Sequence, residues 1–132
     1  MYKGGCFCGN VRYETDATPF HETICHCVPC RRIAGAPCVA WFSVPRASLR
    51  FTANAPQKFA LSLRVTRTFC GKCGTSLTYE SDTFLDEIDV TICSLDVSQA
   101  VPPHDQVHAA EKLGWINLND ILPIYPKARP AS

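Results

Sequence analysis

Seven of the nine cysteines in this chain fall into three tight clusters. These are Cys6-Phe7-Cys8-Gly9, Cys25-His26-Cys27-Val28-Pro29-Cys30 and Cys70-Gly71-Lys72-Cys73-Gly74. The chemistry they point to is metal binding. A zinc ion takes thiolates about 2.3 Å away in a tetrahedron, and C-x-C or C-x-x-C spacing lets one tight turn supply two corners. A glycine after Cys8 and after Cys73 can take a positive φ and bend the chain sharply around an ion. Two such pairs, remote in sequence, would clamp distant parts of the chain together. Nine is an odd number of cysteines, which a closed disulfide framework would not favour.

Seven ligands divide naturally into four plus three. A four-cysteine set is closed and structural, whereas a three-cysteine set leaves one position open, as catalytic zinc sites do. Cys25, Cys27 and Cys30 span one short segment and could cap an ion alone, which leaves Cys6, Cys8, Cys70 and Cys73 for the closed site. Spacing does not force this division. Cys25 and Cys27 could instead pair with Cys70 and Cys73, and His26 could complete the second site, although its flanking ligands favour a side chain that points away. Seven thiolate charges against the four positive charges of two Zn²⁺ would take the formal charge from +1 to −2. Thiolate-rich centres of this kind are weak Lewis acids, better suited to activating a thiolate than to making hydroxide. Arg31 and Arg32 directly follow Cys30 and could stabilise the excess negative charge.

The elements that must position these residues read as mainly β. A length of 132 residues is that of one domain, so residues 1–132 are expected to form a single zinc-binding unit. Hydrophobic residues at 46% and charged residues at 19% exclude a disordered chain. A net charge of +1 lacks the electrostatic footprint of a nucleic-acid binder. The N-terminus has no apolar signal-peptide stretch, and the longest apolar run, Ala36 to Phe42, is far too short to span a membrane. The expected compartment is the reducing cytoplasm, where dense cysteine means metal or catalysis.

Asn10 to Thr15 alternates as a strand. Pro29 to Ala34 fits one or two helical turns, with Pro29 in the first turn and Gly35 at the end. Cys38 to Val44 is apolar on both parities, a strand buried on both faces that Pro45 ends. Leu49, Phe51, Phe59, Leu61, Leu63 and Val65 continue the strand pattern around a turn near Asn54-Ala55-Pro56. Ser76 to Glu80 and Ile88 to Ile92 alternate cleanly. Asp105 to Trp115 is the best helix candidate.

Leu61, Leu63, Val65, Arg67 and Phe69 would share one strand face. Arg67 is then either turned outward by a bulge, or an inward cation facing a zinc–thiolate site or an anionic ligand. His104 and His108, four apart on the expected late helix, read as a surface pair, with an acid–base role as the alternative; His21 has no supporting pattern. Trp41 and Trp115 are expected as core anchors, and Cys38 and Cys93 as buried, inert small hydrophobes.

The chain resembles the glutathione-dependent formaldehyde-activating enzyme family, which includes the domain of centromere protein V. The resemblance rests on Gly4-Gly5-Cys6-Phe7-Cys8-Gly9-Asn10-Val11-Arg12-Tyr13-Glu14, on Cys25-His26-Cys27-Val28-Pro29-Cys30-Arg31-Arg32 with Gly35-Ala36-Pro37, and on Phe69-Cys70-Gly71-Lys72-Cys73-Gly74-Thr75-Ser76-Leu77. The late Trp115 and the Asp120-Ile121-Leu122-Pro123 ending also agree. The resemblance implies a small two-sheet zinc-binding β fold. It also implies two zinc ions per chain: a structural one on Cys6, Cys8, Cys70 and Cys73, and a catalytic one on Cys25, Cys27 and Cys30. The implied reaction joins glutathione and formaldehyde as S-hydroxymethylglutathione, formally a carbon–sulfur lyase run in reverse. In such a site the open zinc corner would take the sulfur of a thiol, which attacks an aldehyde in the same pocket; a zinc-bound aldehyde attacked by an external thiolate is equally compatible with the sequence. Arg31, Arg32 or Arg67 could pair with a substrate carboxylate; the plainer reading of Arg31 and Arg32 is a solvated helix face. The implied partners are a small thiol and an aldehyde, with neither nucleic acid nor membrane; a homodimer is an expectation by analogy. The rival readings are a non-enzymatic zinc module for a protein partner and a zinc or redox sensor built on the same thiolates.

Overall fold

The structure, a computed structural model, describes residues 1–118 and 121–130. Asp120 of the expected terminal motif lies outside the described residues. In chain order the strands are β1 (Tyr2–Gly5), β2 (Arg12–Thr15), β3 (Phe20–Cys25), β4 (Val39–Pro45), β5 (Arg50–Ala53), β6 (Gln57–Ala60), β7 (Val65–Phe69), β8 (Ser76–Ser81), β9 (Glu87–Thr91) and β10 (Asp105–Val107). Among the described residues one α-helix, α1 (Val28–Ala34), is present, and it follows β3. The fold is mainly β, as the alternating sequence pattern implies, and it has two sheets.

The smaller sheet has the order β1-β2-β5 and the larger β10-β3-β4-β9-β8-β7-β6. Neighbours are antiparallel except β10, which runs parallel to β3. Side chains alternate across a strand, and β4 shows what this does. Phe42 and Val44 join Val11, Tyr13, Ile88 and Val90 in the main core. Trp41, on the opposite parity, belongs to a second buried cluster with Cys25, Cys30 and Val107. The larger sheet is therefore covered on both faces: the core with the smaller sheet's β2 lies on one, and the Cys25–Cys30 segment lies on the other. Burial of both parities from Trp41 to Val44 matches the apolar run in the sequence. Each large apolar side chain so buried contributes about 1.5–3 kcal/mol.

Helix α1 begins with Pro29 in its first turn and ends at Gly35, because proline supplies a helical φ and needs no N–H partner there. Three other expectations are corrected. Asp105 to Trp115 is not a helix. It holds β10 and then one 3-10 turn at Ala109–Glu111. His108 stands between them at φ 53, which interrupts a right-handed helix. The β10 backbone takes partners far away in sequence: Gln106 N–H donates to Pro123 O at 2.9 Å, and Gln106 O accepts from Tyr125 N–H at 2.8 Å. Trp115 is 69% exposed and no core anchor. Leu61 and Leu63 lie in the turn between β6 and β7 rather than on a strand, with Leu63 fully exposed. Among the described residues, no helix is long and apolar enough to cross a membrane.

Candidate metal centres

The turn between β1 and β2 carries Cys6 and Cys8, and the turn between β7 and β8 carries Cys70 and Cys73. These hairpins belong to different sheets, and their turns meet. Phe7 N–H donates to the Thr75 hydroxyl at 3.1 Å. Both turns close through a glycine at positive φ, Gly9 at 80° and Gly74 at 82°, with Gly9 N–H bonded to Cys6 O and Gly74 N–H to Cys70 O. The four sulfurs lie within 4.8 Å of one another. Cys6 and Cys8 are 3.6 Å apart, and Cys8 and Cys70 are 3.8 Å apart. A zinc–sulfur bond of about 2.3 Å gives a tetrahedral S–S edge of about 3.8 Å, so this set fits a zinc ion.

Backbone donors surround the same sulfurs, as thiolates require. Val11 N–H reaches Cys6 Sγ at 3.2 Å, and Lys72 and Cys73 N–H reach Cys70 Sγ at 3.3 and 3.4 Å. The Thr75 hydroxyl and backbone pull the Cys73 thiol down to about 5.

The second cluster is built from consecutive elements. Cys25 ends β3, Cys27 sits just before α1 with an extended backbone, and Cys30 is the buried residue of α1. Their sulfurs also lie within 4.8 Å of one another. No histidine or carboxylate joins them among the described residues. The chemistry of the set is that of a cap over one face of a soft divalent ion, and three thiols in this arrangement fit zinc. The crowded thiols of Cys25 and Cys27, and then Arg67, hold Cys30 far below an ordinary thiol, while the same crowding pushes Cys25 up.

His26 points away from this cluster. It is fully buried, and its Nε2 is 2.7 Å from Gln106 Oε1 on β10. That oxygen only accepts, so Nε2 carries the proton. Nδ1 is buried with no hydrogen-bond partner among the described residues. Gln106 has no signal in a single sequence, because β10 reaches β3 only through tertiary pairing.

The arginines differ in placement. Arg31 donates from Nε to His26 O and from Nη2 to Glu111 O, both at 3.3 Å, which ties α1 to the 3-10 turn. Arg32 is exposed on α1. Arg67 is buried, with Nη2 3.5 Å from Cys30 Sγ. His104 and His108 share no helix face: His104 is exposed and faces Glu22 at 3.3 Å, while His108 is the left-handed residue after β10. Cys38 is half-buried and Cys93 exposed, which corrects the expectation of two buried, inert thiols. Neither belongs to a metal-ligand cluster among the described residues.

A crystal structure of a Rhodobacter sphaeroides protein superposes with a TM-score of 0.61 at 19% identity, covering 93% of this chain and 98% of that one, which shows a shared fold. An uncharacterized lyase of Schizosaccharomyces pombe is 30% identical over 76 residues, which is 58% of this chain and 55% of that protein. The match thus spans about half the length of that relative. The sequence profile of the glutathione-dependent formaldehyde-activating enzymes matches residues 1–111. With both cysteine clusters inside that span, the chain belongs to the glutathione-dependent formaldehyde-activating enzyme family.

Proposed function

We propose that the chain is a zinc-dependent enzyme of the carbon–sulfur lyase type, acting on a thiol–aldehyde adduct. The reaction is glutathione plus formaldehyde giving S-hydroxymethylglutathione, or a close relative of it. The observation that carries this reading is the three-sulfur cluster of Cys25, Cys27 and Cys30, which has no fourth protein ligand among the described residues. A zinc ion bound there would supply a positive charge and an open position that lower the pKa of an incoming thiol. In the addition a carbon–sulfur bond forms, the carbonyl π bond becomes a carbon–oxygen single bond, and the thiol proton ends on that oxygen. No oxidant or reductant is needed.

This chain's residues have separate tasks. Cys25, Cys27 and Cys30 hold the ion from one side. Arg32, exposed on α1, is free to pair with a substrate carboxylate, and Arg31 stiffens the segment through two carbonyls. Proximity supplies much of the gain for a reaction that is already facile in water. Cys6, Cys8, Cys70 and Cys73 hold the second zinc as a structural ion.

The test is metal analysis with a mass-spectrometric screen of thiols and aldehydes. Two zinc equivalents and formation of one adduct are expected, with Cys30→Ser abolishing turnover while the far-UV spectrum stays unchanged. A single closed ion with no thiol bound would overturn the reading in favour of a non-enzymatic zinc module.

A further inference from the structure

Arg67 is 6% exposed, and no carboxylate among the described residues neutralises it. Arg12, Arg46 and Arg129 each have one, and Arg50 has two. A buried cation without a counter-charge is costly, so its surroundings must supply one. Two aromatic rings flank it. The guanidinium carbon lies 5.5 Å from the Trp41 ring centroid and 5.2 Å from that of Tyr79, and the two rings meet edge-on at 6.2 Å. Strand register produces this clamp: Arg67 on β7 stands opposite Tyr79 on β8, while Trp41 projects from β4 into the same cluster. The partner at the end of the clamp is Cys30, whose Sγ accepts from Nη2 at 3.5 Å; as a zinc-bound thiolate it would be the counter-charge.

We propose that Arg67 is a positioning residue of the three-cysteine centre. Its clamped guanidinium holds Cys30 and supplies the charge that lets the centre accept a further anionic sulfur. This rests on the reading of Cys25, Cys27 and Cys30 as a thiol-accepting zinc site. Three thiolates and one Zn²⁺ carry −1, and a substrate thiolate would bring the total to −2 inside a partly desolvated site. Arg67 returns it to −1. Cation–π contacts with two rings hold the charge beside Cys30 rather than letting it swing toward solvent. A lysine would keep the charge but lose the planar fork that stacks and donates at once. Arg67 therefore acts through Cys30, which separates it from Arg32 as a partner for a substrate carboxylate.

The test uses the full chain with zinc exchanged for cobalt, whose thiolate charge-transfer band reports a newly bound sulfur. Titration with glutathione should show binding weakened at least about tenfold in Arg67→Met and by less in Arg67→Lys. Competition with a chromophoric chelator should release zinc from the three-cysteine site about tenfold more readily in Arg67→Met, with the four-cysteine zinc retained in both variants. Wild-type thiol affinity in Arg67→Met would overturn the proposal. If the wild-type protein binds no thiol, the thiol-accepting reading fails instead, and equal zinc retention in wild type and Arg67→Met would then sink the Arg67 role on its own. Should Arg67→Met lose the four-cysteine zinc and unfold, Arg67→Lys decides: full wild-type affinity for thiol and zinc there would leave the fork without a part.

Discussion

Cys30 and Cys73 are chemically identical side chains in different surroundings. Cys30 is buried against a clamped cation, while Cys73 is exposed and pairs with the Thr75 hydroxyl at 3.3 Å. Cys93, outside both clusters, is simply exposed. A lone cysteine in an apolar-looking stretch carries no sign of whether a later turn will expose it, and the 3-10 turn at Ile92–Ser94 does so here. The carboxyl of Asp89 shows the same dependence on surroundings. It accepts a hydrogen bond from Ser43 at 2.6 Å, yet burial pushes it up to about 6. A raised carboxyl favours folding while it stays protonated. Its contribution is complete below the ordinary range near pH 4 and is lost as pH rises through about 6. The loss is on the order of 2–3 kcal/mol. Asp89→Asn keeps the Ser43 bond and removes the titration. The stability advantage of this variant over wild type, from urea unfolding at a series of pH values, should grow from pH 4 to about 6.5 and then level off. Groups common to both proteins, zinc ligands included, cancel in that difference. A pH-independent difference would show that Asp89 is not perturbed.

At the level of elements, β10 acts as a latch on the turn that carries Cys25, Cys27 and Cys30. It pairs with β3 as far as Val107↔Cys25, its Val107 carbonyl accepts His26 N–H at 3.1 Å, and Gln106 holds the His26 ring. Gln106→Leu should therefore cost about 1–3 kcal/mol, because it leaves a buried imidazole N–H unpaired. Guanidinium unfolding of the zinc-loaded protein measures this, and a change under about 0.5 kcal/mol would deny the latch. The sequence showed α1 through Pro29 and Gly35, and β4 through its double-sided apolar run, since both signals are local. It hid β3 because a register shift between Phe20 and Thr23, with His21 at φ 51, breaks the alternation that marks a strand. It hid β10 because Val107, Ala109, Ala110 and Leu113 mimic helical spacing, and nothing local announces the left-handed His108 or the distant strand that competes for the backbone. The cysteine clusters were legible because ligand spacing is local too. Arg67 was legible in its parity but not in its partners, since Trp41 and Tyr79 arrive from two other strands.

For the whole molecule, the decisive geometry is that the four-cysteine cluster joins the β1–β2 turn of one sheet to the β7–β8 turn of the other. Cys8 and Cys70 are 62 positions apart in sequence and 3.8 Å apart at their sulfurs. A cross-link over such a loop removes about 4 kcal/mol of chain entropy from the unfolded state, by the loop-closure model. That is a large share of the roughly 5–15 kcal/mol that holds a domain of this size together, and structural zinc can contribute at least as much. The three-cysteine cluster lies within one short segment and closes almost no loop. The two sites should therefore differ in what their loss does, even though their ligands are alike. Cys73→Ser, which removes an exposed ligand and disturbs no packing, should lose one zinc equivalent together with several kcal/mol of stability and the near-UV signal of ordered aromatic residues. Cys27→Ser should lose the other zinc while its cooperative melt stays close to wild type. Metal analysis combined with circular-dichroism melting of the two variants makes the comparison. A Cys73→Ser protein that melts like wild type, or a Cys27→Ser protein that unfolds with the loss of its zinc, would reverse the assignment of structural and open sites.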